Sequence, residues 1–132
     1  MIRLLDTNTC IYFLNRSSEK VVGHFRQLSP SDIKIPAITV AELYYGAEKS
    51  IAKKKNWETV QNFVSIFEIM PFDEKSCQMY AKIRTILEKS GIPIGPMDLL
   101  IASISLANSF ILVTNNIREF ERIKELKLEN WC

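Results

Sequence analysis

The chain reads as an α/β protein, a three-layer α/β/α sandwich around a mainly parallel central sheet. Three observations predict this. Short apolar runs at 2–5, 33–38, 68–72 and 110–113 are separated by longer segments whose apolar residues fall at helical spacing. Strands that alternate with helices pair in parallel. Several of the runs also end abruptly in acidic or small polar residues, as strands do where an open α/β sheet binds its ligand.

Length and composition fit one domain over residues 1–132. Hydrophobic residues make up 47% and charged residues 24%, enough for a core and too apolar for a disordered chain. The formal charge of +2 is too mild to announce nucleic acid, although a basic rim around an acidic pocket is compatible with it. No apolar run is long enough to span a bilayer, and an acid at position 6 breaks any signal-peptide pattern. Cys10, Cys77 and Cys132 fit neither a zinc spacing nor a paired framework. Reduced thiols in a cytoplasmic protein are therefore expected. The single histidine, His24, lies among apolar residues of a helical segment, where it suits packing better than a Ser-His-Asp or Cys-His site. Any catalysis falls to carboxylates, with or without a metal.

Taken in order, residues 2–5 form a short buried strand, the first and central one, with Asp6 at its carboxyl end. Asp6 or Asn8 caps the next helix, which contains Ile11, Tyr12, Phe13 and Leu14. A second helix covers 19–28 and stops at Ser29-Pro30-Ser31-Asp32. Residues 33–38 are the second strand, and Pro36 restricts it to an edge or a strand end. Thr39-Val40-Ala41-Glu42 has the form of a capping box, with Thr39 at the cap and Glu42 three residues on. A basic joint, 49–55, precedes a helix whose Trp57, Val60, Phe63, Val64 and Phe67 recur at helical spacing. Residues 68–72 make the third strand. The clearest amphipathic helix is 74–90, stopped by Ser90-Gly91. Pro96 suits the first position of the following helix and sets Asp98 in its first turn. From Leu99 to Ala107 that helix is apolar nearly all round, so it is buried. Strand 110–113 closes in Thr114-Asn115-Asn116. A short helix with Arg118, Glu119, Phe120, Glu121 and Arg122 follows, then a last strand near 126–128.

Each acid has an ordinary explanation. Asp6, Glu42 and Asp98 suit helix N-termini, and Glu119 suits a surface. Together they mean more. Asp6 and Thr114 both end strands, Glu42 follows the second strand, Asp98 opens a helix feeding a strand, and Glu119 lies one turn past Thr114. Right-handed connections bring all of them to one face. Clustered carboxylates raise one another's pKa unless a cation neutralises them. An all-oxygen set with room for water suits magnesium, or manganese in its place, and such ions activate water and stabilise in-line displacement at phosphorus.

Four motifs, in this order, carry a family resemblance: Leu5-Asp6-Thr7-Asn8; Ala41-Glu42-Leu43 with Gly46; Gly95-Pro96-Met97-Asp98-Leu99-Leu100-Ile101-Ala102; and Val113-Thr114-Asn115-Asn116-Ile117-Arg118-Glu119-Phe120. With the Leu128-Glu129-Asn130-Trp131 ending, they span essentially the whole chain. The chain resembles the PIN-domain ribonucleases, specifically the VapC toxins of toxin–antitoxin pairs. The resemblance implies a PIN-like sandwich and an acidic site of Asp6, Glu42, Asp98 and Glu119, with Asp6 and Asp98 the leading metal ligands. Many relatives carry Asp where this chain has Asn116, so Glu119 is expected to supply the fourth acid, for one ion or two. Thr7, Asn8, Thr114 and Asn116 are expected to orient the carboxylates.

What the resemblance implies for function is magnesium-dependent endonucleolytic cleavage of RNA, transfer RNA above all, with the initiator anticodon stem-loop as the narrower expectation. Direct attack by water would leave 5′-phosphate and 3′-hydroxyl ends. Lys49, Lys53, Lys54, Lys55, Arg84, Arg118 and Arg122 are candidates for phosphate contact, against a merely solvated basic face. The implied partners are a second copy and a small VapB-like antitoxin, forming a heterotetramer or larger complex. The antitoxin would seat in an apolar groove between the early helices, with Tyr12, Phe13, Tyr44, Tyr45 and Trp57 as candidate linings. Two other enzyme readings start from a strand followed by an acid. A haloacid-dehalogenase-like phosphatase needs Asp where this chain has Asn8, and a phospho-receiver needs an acid pair and a strand-end lysine. From another class, a catalytically inactive PIN-like module would bind RNA or antitoxin without cutting.

Overall fold

The structure, a computed structural model, describes residues 1–132. Its strands are β1 (Arg3–Leu5), β2 (Ile33–Pro36), β3 (Glu68–Met70), β4 (Ile111–Val113) and β5 (Lys127–Glu129). Its helices are α1 (Thr7–Leu14), α2 (Glu19–Gln27), α3 (Ala37–Glu48), α4 (Lys53–Val64), α5 (Glu74–Lys89), α6 (Pro96–Asn108) and α7 (Ile117–Phe120). The sheet order is β3-β2-β1-β4-β5, and every pairing is parallel. The α/β sandwich expected from the alternation is the architecture found.

Burial follows the two-residue period of a strand covered on both faces. Leu4 and Leu112 point into a core with Ile83, Leu87, Ile101 and Phe120, on the side of α5, α6 and α7. Their neighbours Leu5 and Val113 point the other way, into a core with Val21, Leu43, Val60 and Phe63 from α2, α3 and α4. On that side Phe13 stacks on Phe25, with ring centroids 4.1 Å apart, and Trp131 packs edge-on against Phe25. His24 lies flat on Trp131 at 4.9 Å, the packing role its apolar setting suggested. The cysteines are free. No helix is long and apolar enough to cross a membrane.

The second strand ends at Pro36, not residue 38, and it is an interior strand. Pro36 is therefore at a strand end, where it is the last residue paired with β3, opposite Met70, and stands at the N-cap of α3. This overturns the capping box. The helix starts at Ala37 without a side-chain cap, so Thr39 is already inside the first turn, fully buried. Phe67 likewise falls past the end of α4, in the turn before β3, yet it still packs against Phe25 and Phe63.

The strand order makes the junction of β1 and β4 the topological switch point. The chain winds outward from β1 to β3 on one side and from β4 to β5 on the other. The loops leaving β1 and β4 diverge there, opening a crevice at their carboxyl ends.

Candidate active site

Asp6 follows the last residue of β1, and its amide donates to Val113 O at 3.1 Å, which fastens it to the end of β4. Its carboxylate caps α1, with Oδ1 accepting from the Thr9 amide at 2.9 Å. The Thr114 and Thr9 side chains lie close enough to favour its charged form, and the Thr9 hydroxyl reaches Val113 O at 3.4 Å. The residue is only 4% exposed. Burial pushes its pKa up; the donors from Thr114 and Thr9 oppose that, and the charge of Glu42 adds to it.

Asp98 opens α6 behind Pro96, as the sequence predicts. It is half-buried, and no protein group donates a hydrogen bond to its carboxylate. Its pKa is raised to about 6, first by burial and then by the charges of Glu119, Asp6 and Glu42. The four predicted acids therefore act on one another across one crevice.

The other two acids are held by protein donors. Glu42 Oε1 accepts from the Thr7 hydroxyl at 2.5 Å. Glu119 Oε1 accepts from the Gly95 amide at 2.7 Å, and its Oε2 accepts from Asn116 Nδ2 at 3.0 Å. Those donors, led by the Gly95 amide, hold the Glu119 carboxyl below its usual range. A β-carbon at Gly95 would stand 3.7 Å from Glu119 Oε1 and 3.9 Å from Asp98 Oδ2, so the two carboxylates flank one loop residue. The Asn116 amide donates to Thr114 Oγ1 at 2.9 Å, which sets the turn leading to Glu119.

Three of the four expected orienting residues do contact an acid: Thr7, Thr114 and Asn116. Asn8 does not. It is exposed on the first turn of α1 and makes no side-chain hydrogen bond to any of the acids. Sequence reasoning missed Thr9 and Gly95. The N-cap rule held the signal for Thr9, because a capping Asp accepts from the amide three residues on. Nothing local marked the Gly95 amide.

The basic candidates divide. Lys53 pairs with Glu48 at 2.8 Å, and Arg84 pairs with Glu88 at 3.1 Å and donates to Tyr80 OH at 2.8 Å. Arg122 donates to Pro93 O at 2.9 Å, bracing the loop that carries Gly95. Lys54 and Arg118 are exposed and free of any acid partner.

A divalent cation fits this donor set, with a limit. Every side-chain ligand is oxygen, and Asp98 is a carboxylate without a protein donor among three other acids. No three of the acids approach closely enough to clasp one ion in this arrangement. Magnesium is commonly held by one or two carboxylates together with water and substrate phosphate, which suits Asp6 and Asp98.

Fold and site define the class: an open parallel sheet with a carboxylate cluster at its switch point. The family model for the PIN domain matches residues 3–126. The tRNA(fMet)-specific endonuclease VapC of Salmonella typhimurium is 40% identical over 129 residues, covering 98% of this chain and 97% of the relative. Ribonuclease VapC2 of Rickettsia felis is 44% identical over 132 residues, covering 99% and 98%. Among solved structures, VapBC2 from Rickettsia felis bound to a promoter DNA fragment superposes with a TM-score of 0.93 at 43% identity, covering both chains fully. DNA-bound VapBC from Salmonella typhimurium gives 0.94 at 38% identity, covering 100% and 99%. The chain belongs to the PIN-domain family, in its VapC branch.

Proposed function

We propose that this chain is a metal-dependent endoribonuclease, the toxin half of a toxin–antitoxin pair, acting in the cytoplasm. The observation that carries the reading is Asp98: a half-buried carboxylate with no protein donor, facing Asp6, Glu42 and Glu119. A carboxylate kept in such company is poised for a cation. Asp6 and Asp98 would hold magnesium, or manganese in its place. When bound, the ion offsets the carboxylate charge and the charge that develops on a phosphodiester during displacement.

The chain's own groups do the rest. Thr9 and Thr114 fix the Asp6 carboxylate, and Asn116 with the Gly95 amide fixes Glu119. Glu42 and Glu119 would orient the attacking water or complete a second ion's site. Lys54 and Arg118, free of acid partners as Lys49 and Lys55 also are, would meet backbone phosphate. The name of the Salmonella relative supports transfer RNA as the substrate class, with the initiator as the narrower reading.

A groove of about 410 Å³ between α1, α3 and α4 supports the antitoxin reading. Ile11, Leu14, Leu43 and Val60 line it, and Glu42 stands at its border. A helix could lay an apolar face there and reach the acids with a basic side chain. The aromatic residues expected there contribute little. Phe13 is turned into the core against Phe25, and Trp57 packs on Tyr44 and donates to Glu48. A homodimer, and with antitoxin a heterotetramer or larger, completes the proposal.

End-mapping of fragments made from cellular RNA tests both target and chemistry. The reading expects a few discrete transfer-RNA cuts with 5′-phosphate and 3′-hydroxyl ends. A 2′,3′-cyclic phosphate would show that the ribose hydroxyl, not water, is the nucleophile.

A further inference from the structure

Thr39 is fully buried in the first turn of α3, and its hydroxyl has one partner, Thr7 Oγ1, at 3.1 Å. Thr7 Oγ1 lies in turn 2.5 Å from Glu42 Oε1. A hydroxyl has a single proton, and an ionised carboxylate only accepts. The angles place Thr7 Oγ1 as donor in both contacts, but it has one proton. With the Glu42 carboxylate, the stronger and nearer acceptor, taking it, the 3.1 Å contact is kept by Thr39 giving its own proton to Thr7. The chain of donation runs from the buried first turn of α3, across to the first residue of α1, and back to the next turn of α3.

We infer that Thr39 is a positioning residue for Glu42, acting through Thr7. Alone, Thr7 has a rotatable hydroxyl that turns to suit whatever acceptor is near. With the Thr39 proton occupying a Thr7 lone pair, the Thr7 proton is committed to Glu42. The buried setting strengthens the arrangement, because a hydroxyl without a partner there is costly. Packing alone does not call for the hydroxyl, since valine fills nearly the same space. The arrangement also ties Glu42 to Asp6, because Thr7 follows Asp6 directly in the chain and both belong to the rigid start of α1.

The inference rests on the proposed cation site only for its consequence, so two readouts separate them. The first is taken without metal: side-chain scalar couplings that report the rotamers of Thr7 and Glu42. Wild type is expected to show one rotamer for each, Thr39→Val averaged values, and Thr39→Ser, which keeps the hydroxyl, the wild-type pattern. Unchanged couplings in a folded Thr39→Val protein overturn the inference. Should Thr39→Val not fold, Thr7→Val at a partly exposed position takes its place: an averaged Glu42 supports the relay, and a fixed Glu42 overturns it. The second readout is manganese affinity by calorimetry. Thr39→Val is expected to weaken it about tenfold, and to have no further effect in a Glu42→Gln background. An equal loss in both backgrounds means Thr39 acts on the fold generally, which overturns the inference. No manganese binding by wild type, with rotamers loosened by Thr39→Val, defeats the cation site and leaves the relay standing.

Discussion

Asp98 concentrates the electrostatic cost of the site. An acid whose folded pKa lies above its unfolded value stabilises the fold only while protonated. For Asp98 that contribution is present below pH 3.8 and is lost as pH rises toward and through about 6. At neutral pH without metal, its charge therefore works against folding. A shift of that size corresponds to at most about 3 kcal/mol, reduced to about 1 kcal/mol because a half-exposed carboxylate is screened by solvent. Asp98→Asn is expected to raise the stability of metal-free protein by about 1 kcal/mol at pH 7 in a urea titration, with the gain shrinking toward pH 4. Glu119 offers the opposite case, an acid whose charged form is favoured by its donors. Asn116→Ala removes one of them and is expected to lower cleavage about tenfold with little change in melting temperature. Single residues were legible where a local rule governs them. Asp6 at a strand end and Asp98 behind Pro96 follow from capping and helix-start chemistry. Thr39 was misread because the same Thr-x-x-Glu spacing fits a cap or a buried turn, and only the start of α3 at Ala37 decides between them.

The elements matter here for how they hold the acids in register. β1 and β4 pair Leu5 with Val113, which sets Asp6 beside Thr114. The far edge of the sheet is secured by Trp131, which is buried, donates to Glu129 Oε1 at 2.6 Å and packs against Phe25. Arg3 reaches Glu129 Oε1 as well, at 2.9 Å. Trp131 thus joins β5 to α2, and Glu129 joins β5 to β1. Trp131→Ala is expected to cost about 3 kcal/mol in a urea titration. Helices 74–90 and 96–107 were legible nearly to the residue because their apolar pattern runs for many turns. Strands of three residues were less so. Residues 68–72 and 33–38 lost their ends, because Pro36 and the turn after Met70 stop pairing earlier than hydrophobicity suggests.

Across the whole molecule, the sheet order turns four separate acids into one site. That order was readable in outline from strand–helix alternation and handedness. The state of the site was not: sequence spacing carries no sign that Glu42 and Glu119 are bound by protein donors while Asp98 is not. Nor does it show every basic residue that is paired: Arg84 and Glu88 stand four apart on one helix, a readable spacing, but Lys53 meets Glu48 only once α3 and α4 are folded together. RNA binding is expected to weaken with added salt, as phosphate contacts do. Removing Lys54 and Arg118 together should flatten that dependence, measured with catalytically inactive protein.

The central claim is that these acids, with a divalent ion, cut RNA. It is tested most directly by incubating the purified, antitoxin-free chain with total cellular RNA, with magnesium or with chelator, beside Asp6→Asn. The account predicts discrete fragments that require both the metal and Asp6. Fragments that persist in chelator or with Asp6→Asn, or no cleavage by well-folded wild type with any divalent ion, would contradict it.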